Sequence, residues 1–355
     1  MSRTQRKITA LLLGLACFVA LLWMQQAPAW VEQVYSRSFY PIYSYVPRLL
    51  FAWIPFSAGD ILYAAMFLAL LGFPFWVAIP LFQKRWSMGG RRFLYAAGVL
   101  FASYLFFYAA WGINYYRVPL KDQLELRTDT VFLEDHLTVL ERHIQKANAL
   151  RKRVDLKQAS RSEAIRDIEE RMKEDAYSGL LSQTQARVKA PVLGSWISYF
   201  GVSGYFNPFT AEAHVNMDMP LMGFPFTVAH EISHQMGLGL EDECNFMAYL
   251  RLRDHPNPWY SYSAYFESVG YLLHSLYWVD PQLYAQYENR LSDNIREDMR
   301  EQQRYWKQYM GWINTWSSAF YDQYLKHNNQ LEGMARYGMV SRLIIALEKK
   351  NRAVD

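Results

Sequence analysis

His230-Glu231-Ile232-Ser233-His234 opens a run that closes on Glu241-Asp242-Glu243-Cys244-Asn245. On a helix, residues four apart share a face, so His230 and His234 can reach one metal ion together. Glu231, one step along, leans toward the coordination position left open by the protein, where a hydrolytic site holds water. The pattern predicts one Zn2+ ion and a hydrolase in which Glu231 takes a proton from the attacking water. Two surface histidines on an amphipathic helix would show the same spacing, so the flanks matter. Pro225 suits a first helical turn, and Gly237 and Gly239 mark a stop. With His230 at the origin of a helical wheel, His234 falls at about 40°. Val228, Ala229, Ile232 and Met236 gather on the opposite side. The predicted helix has an apolar back and a ligand-bearing front.

A catalytic zinc site takes three protein ligands, so a third must come from beyond the histidines. Glu241 and Glu243 follow directly. On the next helix Glu241 shares a small, polar face with Asn245 and Ala248, whereas Glu243 lies with Phe246 and Leu250. Glu241 is therefore the expected third ligand, with Glu243 as the alternative, and Asn245 is expected to hold a ligand imidazole or carboxylate in place. Either carboxylate would also stabilise a helix N-terminus without any metal.

HExxH, then a glutamate, then Asn four residues further on resembles the gluzincin branch of zinc metallopeptidases. The resemblance implies His230 and His234 as ligands, Glu231 as base and Glu241 as third ligand, with Asn245 where many members carry aspartate. The interval between His234 and Glu241 is shorter than in many gluzincins. A larger part of the chain resembles a bacterial family of multi-pass membrane proteins known as domain of unknown function 3810. The matching pieces are Pro208-Phe209-Thr210-Ala211-Glu212-Ala213, HEISHQMG from His230, EDECNF from Glu241, and Tyr337-Gly338. Gluzincins often supply an oxyanion-stabilising Tyr or His from beyond the third ligand. Tyr265, Tyr271, His274 and Tyr337 are the candidates here. Tyr337, in the resembling C-terminal piece, is the one preferred as a catalytic residue.

Hydrophobic residues make up 52% of the 355-residue chain and aromatics 17%, while charged residues stay near an ordinary 20%. That mixture implies a membrane part joined to a soluble part. Uncharged stretches at 8–24, 61–82 and 93–113 predict three N-terminal transmembrane helices within a region 1–113. Arg3, Arg6 and Lys7 precede the first, and Lys84, Arg85, Arg91 and Arg92 lie between the second and third. Positive loops stay cytoplasmic, so the N-terminus is expected inside and residues 114–355 outside the cytoplasm of a bacterial inner membrane. The first stretch, followed by Ala27-Pro28-Ala29, also reads as a signal peptide; an uncleaved anchor is the preferred reading. Residues 43–54, apolar with Pro47 and Arg48 inside, suit either the membrane surface or packing against the rest of the chain.

The fold expected for residues 114–355 is a mostly helical, zincin-like domain with a small β-sheet. Leu133, Leu137, Leu140, Ile144 and Ala147 recur at helical spacing, as do Ile165, Ile168 and Met172. Val192–Phe200 has the β-branched and aromatic texture of a strand, and Thr210–Asn216 alternates as one. The latter is the expected edge strand for an extended substrate, with Glu212, His214 and Asn216 near the cleft. Helices are expected over 262–279, 283–310, 315–326 and 337–349. Charges along 141–189 alternate in sign and lack a one-sided basic stripe, so no nucleic-acid partner is expected. Cys17 and Cys244 are too different in setting to pair, and Cys244 reads as a small buried filler. The expected function is a membrane-anchored zinc metallopeptidase acting on a peptide or protein substrate. The alternatives are a metal-dependent amidohydrolase of cell-envelope material and a non-catalytic membrane scaffold with a vestigial metal site.

Overall fold

The computed structural model describes residues 2–174, 179–182, 184–330 and 337–352. The chain divides into two compact units. The first comprises Met1–Arg117 together with Asn207–Ala211, and the second comprises Val118–Phe206 and Glu212–Asp355. The division falls just beyond the expected boundary at 113. The short return of 207–211 to the first unit is not foreshadowed by hydropathy.

In the first unit, α1 (Arg3–Met24) leads through α2 (Pro28–Trp30) and a π-helical stretch, Val31–Phe39, into α3 (Tyr40–Phe51). Two long helices follow, α4 (Ala58–Phe82) and α5 (Trp86–Ala110), and a 3-10 turn at Gly112–Tyr116. Ser57 starts α4 by accepting the Asp60 N–H at 2.9 Å. Among the described residues, only α4 and α5 are single helices long and apolar enough to cross a membrane. A third span exists only if the pair Ile8–Met24 and Pro28–Phe51, bent by 100° between them, is counted as one. The expectation of three separate spans is thus corrected to two, or three with the bent pair. The first stretch is too short alone, and its helix breaks at Gln25–Ala27, ahead of Pro28. The last span ends at Ala110 and not at 113, because the chain tightens there into the 3-10 turn.

Buried polar contacts tie the π-helical stretch to the end of the unit. Glu32 receives the Arg117 guanidinium on both oxygens at 2.8 and 2.7 Å, and Ser36 Oγ donates to Asn114 Oδ1 at 2.7 Å. The returning segment is gripped by rings: Phe209 stands edge-on to Tyr63 at 6.4 Å and stacks on Phe106 at 6.0 Å. Asn207 Oδ1 accepts the N–H groups of Phe209 and Thr210, which closes the turn.

The second unit is built from α6 (Leu120–Gln123), α7 (Leu133–Arg151), α8 (Arg161–Arg171) and β1 (Val188–Lys189), then a 3-10 segment at Gly194–Phe200. It continues through β2 (Gly204–Asn207), β3 (Glu212–Val215), α9 (Phe224–Gln235), α10 (Glu241–Leu252) and α11 (Pro258–Val279). The chain closes with α12 (Pro281–Glu288), α13 (Asp293–Lys307), α14 (Trp312–His327) and α15 (Tyr337–Arg352). The strand expected at Val192–Phe200 is instead the 3-10 segment. Its limits are two glycines with positive φ, Gly194 at +54° and Gly201 at +72°, and aromatic content does not outweigh them.

The sheet runs β1-β3-β2, with β1 and β3 parallel and Val188 opposite Ala213. The strand expected at the edge is therefore in the middle, and β2 lies at an edge. The helix expected over 283–310 is two helices, broken around Asn289–Ser292, where the Ser292 N–H donates to Asn148 Oδ1 at 2.8 Å.

Helix α9 sits at the centre of this unit, packed by α8, α10, α11 and β3. Its apolar back, Val228, Ala229 and Ile232, is fully buried. Burying Val228 and Ile232 stabilises the packing by about 2 kcal/mol each. Pro225 lies in its first turn, Ser263 Oγ accepts the Phe226 N–H, and the helix ends where Gly237 takes φ +86°.

Candidate metal centre

Helix α9 and helix α10 are joined by Met236–Leu240, a loop so short that the front of one faces the first turn of the other. The loop also fixes a ring. His234 Nδ1 lies 2.9 Å from the Leu238 carbonyl, to which it can only donate, so in the neutral ring the lone pair is on Nε2. On the turn before, His230 Nδ1 lies 2.8 Å from Asn245 Oδ1, again an acceptor, and again Nε2 is left with a lone pair. The two Nε2 atoms point at one another across 3.1 Å. The Glu241 carboxylate closes the triangle, with Oε2 3.2 Å from His230 Nε2 and Oε1 3.3 Å from His234 Nε2.

Three acceptors therefore converge with their hydrogens turned outward. Ligands at Zn–N distances of about 2.0–2.1 Å in a tetrahedron lie about 3.3–3.4 Å from one another. The separations here, 3.1 to 3.3 Å, match that edge length. The donor set, two neutral imidazoles and one carboxylate, fits a divalent zinc-type ion.

The electrostatics say the same. Burial alone would raise the Glu241 pKa, but the two imidazoles outweigh it and hold the carboxyl well below its usual range. Burial alone would lower the His234 pKa, but Cys244 and Glu241 hold it well above the usual value. The cluster draws one positive charge among its donors: a proton on His234 facing Glu241, which a bound metal ion would displace.

Glu231 lies alongside. Ligand-type atoms of His230, Glu231 and His234 all fall within 4.8 Å of one another. Glu231 is buried, and its Oε2 has no hydrogen-bond partner. Burial pushes its pKa up to about 7, against the pull of the two histidines. Its side chain lies on Gly204 of β2. A Cβ there would fall 2.7 Å from both Glu231 Cγ and Oε1, and 2.8 Å from the His214 carbonyl oxygen. Gly204 is thus the floor on which the carboxylate rests.

Two residues found here have no local signal in the sequence. Gly204 reads there only as a turn glycine. Tyr321 of α14 donates its hydroxyl to Glu241 Oε1 at 2.7 Å, and the Glu241 N–H donates to Gln330 Oε1 at 3.2 Å. Tyr321 lies 80 residues away in a chain with 26 tyrosines, so nothing distinguishes it beforehand.

The other expected residues lie elsewhere. Glu243 Oε1 accepts the Leu120 N–H at 2.7 Å, which holds the incoming chain against α10. Cys244 Sγ lies 3.2 Å from His234 Nδ1, behind the ring, and burial pushes its thiol up to about 12. Glu212 pairs with Lys189 at 2.5 Å, His214 stacks on Tyr205 with centroids 4.5 Å apart, and Asn216 Nδ2 donates to Ser198 Oγ at 2.8 Å. The first two contacts bind the strands of the sheet to one another, and the third ties the end of β3 to the 3-10 segment. Tyr265 stands edge-on to His143 at 5.2 Å, Tyr271 lies beside Phe226 at 6.2 Å, and His274 accepts from Trp278 Nε1 at 3.3 Å. Tyr337 begins α15, and its side chain lies outside the described residues.

These features define a mainly helical protein with two or three segments fit to cross a membrane and a His–Glu–His cluster on one helix, faced by Glu241 from the next. The chain belongs to the family described as Protein of unknown function (DUF3810), whose profile matches residues 35–345. No curated protein and no solved structure matches it significantly.

Proposed function

We propose that this protein is a membrane-anchored zinc metallopeptidase, with His230, His234 and Glu241 as metal ligands and Glu231 as general base. The observation that carries the reading is the convergence of three acceptors at 3.1 to 3.3 Å with both imidazole hydrogens turned away onto Asn245 and Leu238. Two imidazole Nε2 atoms and a carboxylate stand this close only with positive charge among them, a proton on His234 in the empty cluster or a metal ion in its place. Glu243, engaged with the Leu120 N–H, is the weaker candidate for the third ligand.

A bound zinc ion would supply Lewis acidity toward a carbonyl and toward water. The chain's own residues do the rest. Glu231 Oε2, bare of partners, takes the proton of the attacking water and returns it to the leaving amine. Gly204 holds that carboxylate in place from below. Asn245 and the Leu238 carbonyl fix the tautomers and ring planes of the two histidines, and Tyr321 fixes the Glu241 rotamer. In this reading α4 and α5 cross the bacterial inner membrane, the turn between them with Lys84 and Arg85 stays in the cytoplasm, and the second unit works outside it.

The test is digestion of a mixed peptide library by the zinc-loaded full-length protein beside its Glu231→Gln variant. Cleavage by the wild type and none by the variant is expected. Equal cleavage by both would remove Glu231 from the chemistry and the reading with it.

A further inference from the structure

Two uncharged stretches of the second unit stand out for what they expose. No charged residue occurs from Ala190 to Phe206, nor from Gln308 to Tyr321. Within the first, the 3-10 segment leaves Leu193, Trp196 and Phe200 exposed. Within the second, Trp312, Trp316 and Phe320 recur every four residues along α14, so they form one outward stripe. Trp196 is 68% exposed, Trp316 74% and Phe320 77%. The two stretches are neighbours in the fold. Asn314 of α14 lies against Gly201, and Tyr199 stands edge-on to Tyr309 with centroids 5.0 Å apart. A contiguous aromatic surface free of charge is not an ordinary water-facing surface.

Its place in the unit says what covers it. Helix α5, long and apolar enough to cross a membrane, ends at Ala110, and the second unit follows it in the chain from Val118. The chain enters it at Leu120, whose N–H meets Glu243 at 2.7 Å in the first turn of α10. In that same turn Glu241 receives the Tyr321 hydroxyl of α14 at 2.7 Å. The aromatic stripe thus lies on a helix that meets the same turn of α10 as the chain arriving from α5. Tryptophan and phenylalanine without charges suit the interface of a bilayer, where an apolar ring meets the headgroup layer.

We propose that α14 and the 3-10 segment Gly194–Phe200 form a lipid-docking face, which seats the second unit on the bilayer and holds Tyr321 and Glu241 close to the membrane surface. This does not depend on the metal or the reaction assigned above.

The test uses the full-length chain in phosphatidylcholine–phosphatidylglycerol vesicles, in a Cys17→Ser background; Cys244 is buried. An environment-sensitive fluorophore is attached to Trp316→Cys, to Phe320→Cys or, as control, to Gln145→Cys on an exposed part of α7. The first two replace exposed side chains, so the fold does not depend on them. Phospholipid spin-labelled near the top of its acyl chain is expected to quench and blue-shift the probes at 316 and 320 and leave the one at 145 unchanged. Equal, water-like emission at all three positions would overturn the proposal. So would probes unquenched by lipid at 316 and 320 with disulfide-linked pairs forming through Trp316→Cys, which would assign the face to a second copy.

Discussion

Two buried carboxylates of the second unit have opposite surroundings. Asp298 is met by donors on every side: Arg151 Nε at 2.5 Å, Arg151 Nη2 at 3.1 Å and the Tyr262 hydroxyl at 2.5 Å. Its charge is matched and its oxygens are filled, so the cluster is complete in itself. Glu241 faces the two imidazole Nε2 atoms, which are acceptors when the rings are neutral, and its fixed donor is the Tyr321 hydroxyl. A cluster of the first kind locks helices together. A cluster of the second kind spends folding energy to hold lone pairs in register, and such an arrangement makes sense as a place for a cation.

Cutting Asp298 to alanine is the harshest way to probe the closed cluster. It leaves the Arg151 guanidinium without its partner and should cost about 3 kcal/mol or more of stability, read by denaturant unfolding. Metal content should stay unchanged. If metal content fell with it, the two clusters would not be the independent devices described here.

On the open side, Gly204→Ala places a methyl 2.7 Å from Glu231 and should lower turnover by about 100-fold while metal stays bound. Unaltered turnover would show that the Glu231 position is not set by β2. A gentler cut is Asn245→Ala, which frees the His230 ring. Zinc affinity, measured by competition with a chelator, should fall by about 10- to 100-fold.

Glu267 stands between the two cases. Gln302 Nε2 donates to its Oε1 at a long 3.5 Å, and burial pushes its pKa up to about 7 from an ordinary 4.5. The folded protein therefore holds this proton more tightly than the unfolded chain does. Stability from this group is fully present below about pH 4.5 and is lost as pH rises to about 7. Glu267→Gln should flatten that part of the stability–pH curve, a modest shift in melting temperature. An unchanged slope would mean that Glu267 is solvated.

Much of this contrast is local, and to that extent it is legible in the sequence. Helix α9 lies between Pro225 and Gly237 because those residues fix backbone angles regardless of what packs around them. The same holds for α4 and α5, whose length and lack of charge need no partner to be recognised. What fails is what depends on distant contacts. Val192–Phe200 carries a strand-like texture, yet two glycines with positive φ turn it into a 3-10 segment. Thr210–Asn216 alternates like an edge strand, but pairing across the sheet puts Glu212–Val215 in the middle and sends 207–211 to the other unit. The hydrogen-bond partners of Glu241 and Glu243 come from residues 321 and 120, and no spacing rule reaches that far.

The central claim is that the open cluster holds a metal, and metal content of the detergent-purified full-length protein tests it most directly. About one zinc per chain is predicted for wild type and for Glu231→Gln, and none for His234→Ala. Wild type purified without chelator and still free of metal, or His234→Ala retaining it, would contradict the account.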